Sequence, residues 1–315
     1  MEAKPFSTIG IVGSGFMGAH IGLQCALSGY EVWLLDSSPA SLERALQFAA
    51  AELGRRVEAG QLSEAERAST LSRLRVADDW AHAARQLDLA IEAVPERLDI
   101  KREVFAQLDK LCPPRTVLAT NSSSYRISEL EDVVERRDRV LNLHFMGEVW
   151  RRPAVEIMRG SQTTDEVVAK ARRFVRSLGL VPLQVRKEST GFIFNRIWRA
   201  VKKETLRVLA EGVSTPDDVD RAWMLVMGAP MGPCAMMDMV GLDVVRDIEM
   251  AYYRQSGDPS DLPPRFLLDK IERGELGVKT GRGFYTYPNP AWQEPGWLQG
   301  ESYPEGAPER PATSP

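Results

Sequence analysis

The sequence contains few residues able to form disulfides or bind a metal. Three cysteines, Cys25, Cys112 and Cys234, lie far apart, and only three histidines accompany them in 315 residues. This spacing argues against a disulfide framework and against a Cys/His zinc site. We therefore expect no metal centre, and a reducing compartment such as the cytoplasm.

The chain also lacks an excess of basic residues and a long apolar run. Lys and Arg total 40 against 44 Asp and Glu, so the formal net charge is -4. No broad positive field is available for nucleic acid or anionic lipid. No window approaches the roughly 18 apolar residues of a membrane span, and the first residues lack the apolar run of a signal peptide. We expect a cytoplasmic protein with neither nucleic-acid nor membrane partners.

What the sequence does contain is an alternation of short apolar runs with helical patterns over residues 6–186. Such alternation is typical of a parallel sheet covered by helices, and it predicts a doubly wound α/β domain. Residues 16–28 and 40–58 are predicted helices. The predicted strands are 7–12, 31–36, 87–93, 117–120, 140–145 and 154–158.

The pattern changes after Gly191. Amphipathic stretches at 192–209, 216–226, 235–256 and 265–273 follow without a convincing strand, which predicts an all-α C-terminal domain.

Prolines are dense from Pro288 onward, which excludes an α-helix and predicts a surface-draped or partly disordered tail. The sequence does not identify what its aromatic residues Trp292, Trp297 and Tyr303 contact. We place a dinucleotide-binding domain at 1–187, a helical domain at 188–287 and the Pro-rich tail at 288–315.

Residues 13–18 form a Gly-x-Gly-x-x-Gly pattern between the first predicted strand and the first predicted helix. Gly13 permits a tight turn, Gly15 lets the backbone approach a pyrophosphate, and Gly18 allows the helix to pack closely on the strand. The N–H groups at the helix start, around Phe16 and Met17, favour an anionic phosphate. In this context the motif predicts a Rossmann-like dinucleotide-binding turn rather than a glycine turn without a ligand.

Asp36 ends the second predicted strand, 21 residues after Gly15. A carboxylate about 20 residues beyond the glycines is placed to bind the adenine ribose hydroxyls. Ser37 and Ser38 follow it, without an arginine that would accommodate a ribose 2′-phosphate. We therefore expect NAD rather than NADP as the cofactor.

His144 and Glu156 lie on two consecutive predicted strands. The loop between them, residues 146–153, is long enough to fold the second strand beside the first. If the strands pair, the carboxylate can orient the imidazole and support its protonated form, as a general base for a hydroxyl proton requires. The spacing alone leaves open a buried histidine with an unrelated glutamate.

Two polar clusters are further candidates. Residues 121–124, Asn-Ser-Ser-Ser, follow the predicted strand 117–120 and so lie at the carboxyl edge of the sheet, the ligand side of an open α/β fold. A plain turn or helix N-cap would explain them too. Asn195 opens the long helix among apolar neighbours, where its amide needs either a ligand or a structural hydrogen bond.

Together these segments resemble the 3-hydroxyacyl-CoA dehydrogenase family over nearly the whole chain, from the glycine turn to about Tyr287. The matching motifs are residues 13–18, 91–96 with Lys101, 121–124, 143–145, 155–157, 191–196, 231–233, 237–243 and 279–285.

The resemblance implies an NAD-dependent oxidoreductase of fatty acid metabolism that converts a 3-hydroxyacyl thioester to the 3-ketoacyl thioester, or the reverse. It implies that His144 is the general base and that Glu156 orients it. Ser123 and Asn195 would polarise or position the reacting oxygen and the acyl group.

The resemblance also implies which residues lie beside the cofactor and which partners the protein has. Glu96, Lys101 and Asn121 would lie beside the cofactor, and the helical domain would form a homodimer. The acyl carrier is either CoA or an acyl carrier protein. Arg55 and Arg56 could meet CoA phosphates or an acidic carrier domain, although solvated helix charges explain them equally well.

The loop between the two catalytic strands departs from the family pattern. Family members have an aromatic-Asn-Pro turn there, whereas this chain has Gly147 and Glu148 after Met146. The loop is expected to form a wall of the substrate pocket, where Arg151 and Arg152 would pair with a substrate carboxylate or phosphate and indicate a short or polar acyl group. The alternative is a solvated loop tip in which the two arginines pair with Glu148.

Two other functions stay open. One is a dehydrogenase of a free 3-hydroxy acid, resembling gulonate or carnitine dehydrogenases, which the altered loop favours. The other is a non-catalytic NAD-binding protein, as lens crystallins related to this family suggest. The presence of His144, Glu156, Ser123 and Asn195 argues against the second.

Overall fold

The computed structural model describes residues 4–300. The chain forms two compact units, divided between Arg196 and Ile197. The first unit combines a sheet with helices, and the described part of the second unit is built from helices. The predicted fold class, a Rossmann-like domain followed by a helical one, is confirmed.

Eight strands form one sheet in the first unit. In chain order they are β1 (Thr8–Val12), β2 (Glu31–Leu35), β3 (Leu74–Val76), β4 (Leu89–Glu92), β5 (Val117–Thr120), β6 (Val140–Phe145), β7 (Ala154–Arg159) and β8 (Val181–Val185). Their order across the sheet is β3-β2-β1-β4-β5-β6-β7-β8. Every neighbouring pair is parallel except β6 and β7, which are antiparallel. The strand order reverses between β1 and β4, and ligands of open α/β sheets bind at the carboxyl ends near such a point.

Hydrophobic clusters cover both faces of this sheet. Ile9 and Ile11 of β1 belong to one cluster and Val12 to the other, while Ile91 and Ala90 of β4 divide in the same way. Strands buried on both faces have continuous apolar sequences. For this reason the central strands were predictable as apolar runs.

Helices of the first unit cover the sheet. Ser38 caps the longest of them by accepting a hydrogen bond from the backbone N–H of Ser41, and Pro39 occupies its first position. The helices are α1 (Phe16–Leu27), α2 (Pro39–Glu58), α3 (Glu64–Ser72), α4 (Trp80–Ala84), α5 (Leu98–Leu111) and α6 (Asp165–Ser177).

Two buried aspartates organise the helical second unit. Its helices are α7 (Phe194–Ala210), which begins just before the division, α8 (Pro216–Met227), α9 (Pro233–Val240), α10 (Leu242–Ser256) and α11 (Arg265–Glu272). Asp220 accepts hydrogen bonds from the N–H groups of residues 234 and 235. Asp238 accepts them from residues 284 and 285. Within residues 4–300, none of the helices has the length and apolar character needed to cross a bilayer.

The sequence prediction omits β3 and β8, which are the two edge strands. β3 has only three residues, with Arg75 exposed at its centre, and β8 contains Pro182 and begins with the exposed Val181. Neither strand therefore has the apolar run by which the central strands were identified, and proline is confined to such edges. The predicted strands 117–120 and 140–145 match β5 and β6 at both ends.

The amphipathic stretch 235–256 forms two helices, because Gly241 adopts a φ of 102° between α9 and α10. In the tail, Trp297 is 2% exposed and packs in the hydrophobic cluster of the second unit. The guanidinium of Arg221 lies 4.5 Å from the Trp297 ring centroid, and its Nε donates to the Trp297 carbonyl. Tyr303 lies outside the described residues.

Replacing Trp297 with alanine is expected to lower the free energy of unfolding by roughly 3–5 kcal/mol, the usual cost of truncating a buried aromatic residue. Urea denaturation followed by circular dichroism measures this loss. Gln299→Ala, in the same short turn but exposed, is the matched control and should change stability by less than about 0.5 kcal/mol. Equal stabilities for the two variants would contradict the packing of this segment.

Candidate active site

A cavity of about 370 Å³ opens at the carboxyl ends of β4, β5 and β6. The residues predicted as catalytic line it, except Glu156, which lies behind His144. The full lining consists of Met17, Ala93, Val94, Glu96, Lys101, Asn121, Ser123, His144, Phe145, Met146, Gly147, Arg152, Phe194 and Asn195.

His144 and Glu156 are directly opposite each other in the antiparallel pair of β6 and β7. The imidazole Nδ1 lies 2.8 Å from Glu156 Oε2. Glu156 is completely buried and His144 is 7% exposed. The strand pairing expected from the loop length is therefore confirmed, and it joins the two side chains by a hydrogen bond.

The second oxygen of Glu156 is also occupied. Its Oε1 accepts hydrogen bonds from the backbone N–H groups of Ile193 and Phe194, at 2.9 and 2.8 Å. Burial alone would raise the pKa of Glu156, but the hydrogen bonds from His144 and from these N–H groups outweigh it and hold the pKa below its ordinary value. Glu156 is therefore a carboxylate at neutral pH. Because a carboxylate only accepts, Nδ1 must donate, and Nε2 is the nitrogen left for a ligand.

The segment before α7 has a strained backbone and lies against His144. Phe192 has a φ of 50°, in the left-handed region that non-glycine residues rarely adopt. Its buried ring lies 5.2 Å from the His144 ring, centroid to centroid. Asn195 follows in the first turn of α7 and reaches the cavity. Its amide makes no side-chain hydrogen bond to another residue within 4–300, and its binding of a ligand stays a prediction.

Residues 121–124, after β5, both make a turn and contribute to the lining of the cavity, which are the two roles that the sequence left open. Asn121 Oδ1 accepts a hydrogen bond from the Phe145 N–H at 2.8 Å, which joins the ends of β5 and β6. Ser122 makes the turn, because its Oγ accepts from the N–H of Tyr125. Ser123 is the serine that lines the cavity.

The glycine turn has the shape that a dinucleotide pyrophosphate requires. A Cβ on Gly13 would lie 2.7 Å from the backbone of Ala93, and one on Gly18 would lie 1.8 Å from the Gly13 carbonyl oxygen. These two glycines are therefore required by the fold. A Cβ on Gly15 would meet nothing within 4 Å, and Gly15 provides no side chain to cap α1. The first N–H groups of α1 are thus accessible to an anion, and the turn fits the cofactor.

Asp36 lies where the sequence predicted an acidic residue for the ribose. Its carboxylate accepts hydrogen bonds from Ser14 N at 2.7 Å and from Ser38 N at 2.8 Å, which fix its orientation beside the glycine turn. It lines a second cavity, of about 470 Å³, together with Glu43 and Asp78. No lysine or arginine is among the described lining residues of this cavity. Three carboxylates would repel a 2′-phosphate, so the site fits NAD.

An ion-pair network of two buried residues and the exposed Glu96 includes Glu92, which was not predicted as a site residue. Lys101 Nζ lies 2.8 Å from Glu92 Oε1 and 3.0 Å from Glu96 Oε2. Glu92 is fully buried in β4, and burial raises its pKa. Burial acts on Glu96 too, but Lys101 and Ser122 outweigh it and lower the pKa of that carboxyl. A carboxylate inside an apolar strand is costly without a partner, and this signal could have identified Glu92.

The loop between β6 and β7, which differs from the family pattern, contains two arginines that have different surroundings in the structure. Arg151 is exposed and its Nε lies 3.0 Å from Glu148 Oε2, as the loop-tip alternative predicts. Arg152 lines the cavity that contains His144. The loop therefore brings one of its two arginines to the candidate active site.

Arg55 and Arg56 both pair with Glu52 on α2. The Arg56 guanidinium also lies 4.6 Å from the ring centroid of Trp150, in the loop between β6 and β7. His20 stacks on the same indole ring, with 5.0 Å between the ring centroids. Arg56 thus helps to hold the loop in place, and its contact with a carrier stays a prediction.

Comparison with known proteins agrees with this geometry. A family model described as "3-hydroxyacyl-CoA dehydrogenase, NAD binding domain" matches residues 8–189, and one described as "3-hydroxyacyl-CoA dehydrogenase, C-terminal domain" matches residues 191–287. The chain belongs to the 3-hydroxyacyl-CoA dehydrogenase family. The family resemblance found in the motifs is confirmed, and with it an NAD-dependent oxidoreductase.

Several family members are similar to this chain over most of its length. The probable 3-hydroxybutyryl-CoA dehydrogenase of Bacillus subtilis is 34% identical over 287 residues, 91% of this chain and 98% of the relative. The 3-hydroxyadipyl-CoA dehydrogenase of Escherichia coli is 36% identical over 282 residues, 89% of this chain and 59% of the relative. The crystal structure of (S)-3-hydroxybutyryl-CoA dehydrogenase from Ralstonia eutropha has a TM-score of 0.84 and 34% identity, covering 90% of this chain and all of the other.

The lowered pKa of Glu156 predicts a pH-dependent contribution to stability. A carboxyl group whose pKa is lower in the folded state stabilises the fold above its unfolded pKa, here about 4.5, and loses this contribution as the pH falls through the folded pKa. The wild type should therefore exceed Glu156→Gln in free energy of unfolding at pH 7, and the difference should shrink below pH 4.5. Urea denaturation across this pH range measures it. A difference that stays constant with pH would contradict the ionised pair.

Proposed function

We propose that the protein interconverts 3-hydroxyacyl-CoA and 3-ketoacyl-CoA thioesters with NAD, and that His144 is the general base. The observation that carries this proposal is the hydrogen bond from His144 Nδ1 to a buried carboxylate at the wall of the cavity. The names of the relatives, which are CoA thioester dehydrogenases, support CoA rather than an acyl carrier protein.

In the oxidation direction, His144 Nε2 takes the proton of the substrate 3-hydroxyl. Glu156, 2.8 Å from the other ring nitrogen, stabilises the imidazolium that forms and keeps the ring oriented. NAD, when bound, supplies the acceptor for the hydride of carbon 3. In the reverse direction His144 returns its proton to the oxygen of the 3-keto group.

Ser123 and Asn195 act on the substrate from the same cavity. The Ser123 hydroxyl donates to the oxygen of carbon 3 as negative charge develops on it. The Asn195 amide positions the acyl group. Donors fixed in advance stabilise such charge far more in a dry site than in water.

The glycine turn would hold the cofactor when it is bound. The N–H groups that follow Gly15 would bind its pyrophosphate, and Asp36 would bind the adenine ribose. Glu96 and Lys101, which form an ion pair with each other, would bind on the nicotinamide side. Asn121, held by the Phe145 N–H, completes this side.

The domain limits and assembly belong to the same proposal. The NAD-binding domain covers 1–187, the helical domain 188–287 and the Pro-rich tail 288–315. The protein is a cytoplasmic homodimer formed through its helical domain. Val244 and Ile248, which lie one turn apart on α10 and are both exposed, support an apolar contact there.

The proposal is tested by following NADH oxidation with acetoacetyl-CoA in the wild type and in His144→Gln. The variant should lose roughly 10²–10⁴-fold in kcat, since it lacks the proton donor and acceptor, while the Kd for NADH stays the same. His82→Gln is the matched control, because His82 is an exposed histidine outside the cavity. It should retain wild-type turnover.

Undiminished turnover by His144→Gln would refute its role. A wild type that binds NADH but leaves acetoacetyl-CoA unreduced would refute the thioester reaction. In that case turnover of free 3-keto acids would indicate the free-acid function, and no turnover on either class would indicate a non-catalytic NAD-binding protein.

A further inference from the structure

Arg152 places a positive charge in the catalytic cavity without an anionic partner. Its neighbour Arg151 pairs with Glu148 at 3.0 Å and so neutralises the acidic residue of the loop. No ion pair or side-chain hydrogen bond joins Arg152 to any residue between 4 and 300. Arg152 lines the same cavity as His144, Ser123 and Asn195.

The other charged side chains that line this cavity are compensated. Lys101 lies between two carboxylates, Glu92 and Glu96. His144 is hydrogen-bonded to the buried Glu156. Among the described lining residues, Arg152 is therefore the charged side chain without a protein partner, and it is exposed to solvent and to a ligand in the cavity.

The local backbone is arranged around this arginine. Gly147 has a φ of 52°, which a residue with a side chain rarely adopts. A Cβ at Gly147 would lie 3.2 Å from Arg152 Nη1 and 3.4 Å from its Cδ. The arginine thus lies against the bare backbone of Gly147, where a side chain would crowd it.

The loop that carries Arg152 is held on the body of the first unit. Val149 is 1% exposed and belongs to the main hydrophobic cluster. Trp150 stacks on His20 and lies under the Arg56 guanidinium. Because these contacts immediately precede Arg152 in the chain, they limit the positions that its guanidinium can occupy.

We propose that Arg152 binds a carboxylate carried by the acyl chain, so that the preferred substrates are 3-hydroxyacyl thioesters with an acidic group on the chain. This inference rests on the proposed function. A guanidinium presents paired N–H donors that match a carboxylate, and such charge-assisted pairs are stronger than hydrogen bonds between neutral groups. An uncharged chain would cover the guanidinium without satisfying it, at a cost in binding.

The test compares two CoA thioesters with six-carbon acyl chains. 3-Hydroxyadipyl-CoA ends in a carboxylate, and 3-hydroxyhexanoyl-CoA ends in a methyl group. We expect the wild type to have the higher kcat/KM on the acidic substrate. Arg152→Gln should lower the ratio of the two kcat/KM values by roughly tenfold to hundredfold, as the loss of a charged hydrogen-bonded contact does. Arg152→Lys should retain part of the preference.

Arg151→Gln is the matched control, because it removes a neighbouring arginine that lies outside the cavity. It should keep the wild-type ratio. The five- and seven-carbon acidic thioesters are assayed beside the six-carbon one, so that a different chain length is detected as well.

Several results would overturn the inference. One is a wild type that prefers none of the acidic thioesters, and another is a ratio that Arg152→Gln leaves unchanged. A third is a large increase in the Kd for NADH in Arg152→Gln, measured by fluorescence titration, which would assign the arginine to a cofactor phosphate. If the wild type oxidises neither class of thioester, the proposed function itself fails, which is distinct from turnover without a preference.

Discussion

The hydrogen bond between His144 and Glu156 is the constraint on which the candidate site depends. It forms because β7 runs antiparallel to β6, so that the beginning of β7 lies at the edge where β6 ends. The same carboxylate accepts hydrogen bonds from the backbone N–H groups of Ile193 and Phe194 at the start of α7, and Asn195 is the next residue of the chain. One buried charge therefore orients the His144 imidazole, selects its tautomer and fixes a helix terminus. Removing that charge would leave several buried donors without a partner.

The parts of the site that depend on local patterns were predictable from the sequence. The steric reasons given for Gly13 and Gly18 hold in the structure, because a side chain at either would collide with backbone. Asp36 was predictable because it lies at the end of the second strand, 21 residues after Gly15. The central strands are apolar on both faces, so they were found as runs, and parallel pairing then places residues 121–124 at the same edge as His144.

The direction in which each side chain of a polar loop points was not predictable from local patterns. Residue type alone does not distinguish Ser122, which makes a turn, from Ser123, which lines the cavity, and only the family resemblance singled out Ser123. Nor does residue type distinguish Arg151, which pairs with Glu148, from Arg152, which enters the cavity. In each case adjacent residues of one type point to different surroundings, and only the folded backbone decides which of them reaches the ligand.

The tautomer of His144 is the most direct test of the central claim. Because Glu156 is ionised and can only accept, a neutral His144 should carry its proton on Nδ1 and leave Nε2 free for the substrate hydroxyl. The chain has only three histidines, so proton–nitrogen correlation NMR on protein with isotope-labelled histidine resolves each ring, and His144→Gln assigns its signals. We predict the Nδ1-protonated tautomer. A neutral ring protonated on Nε2 would contradict the account, because no acceptor nitrogen would then face the cavity.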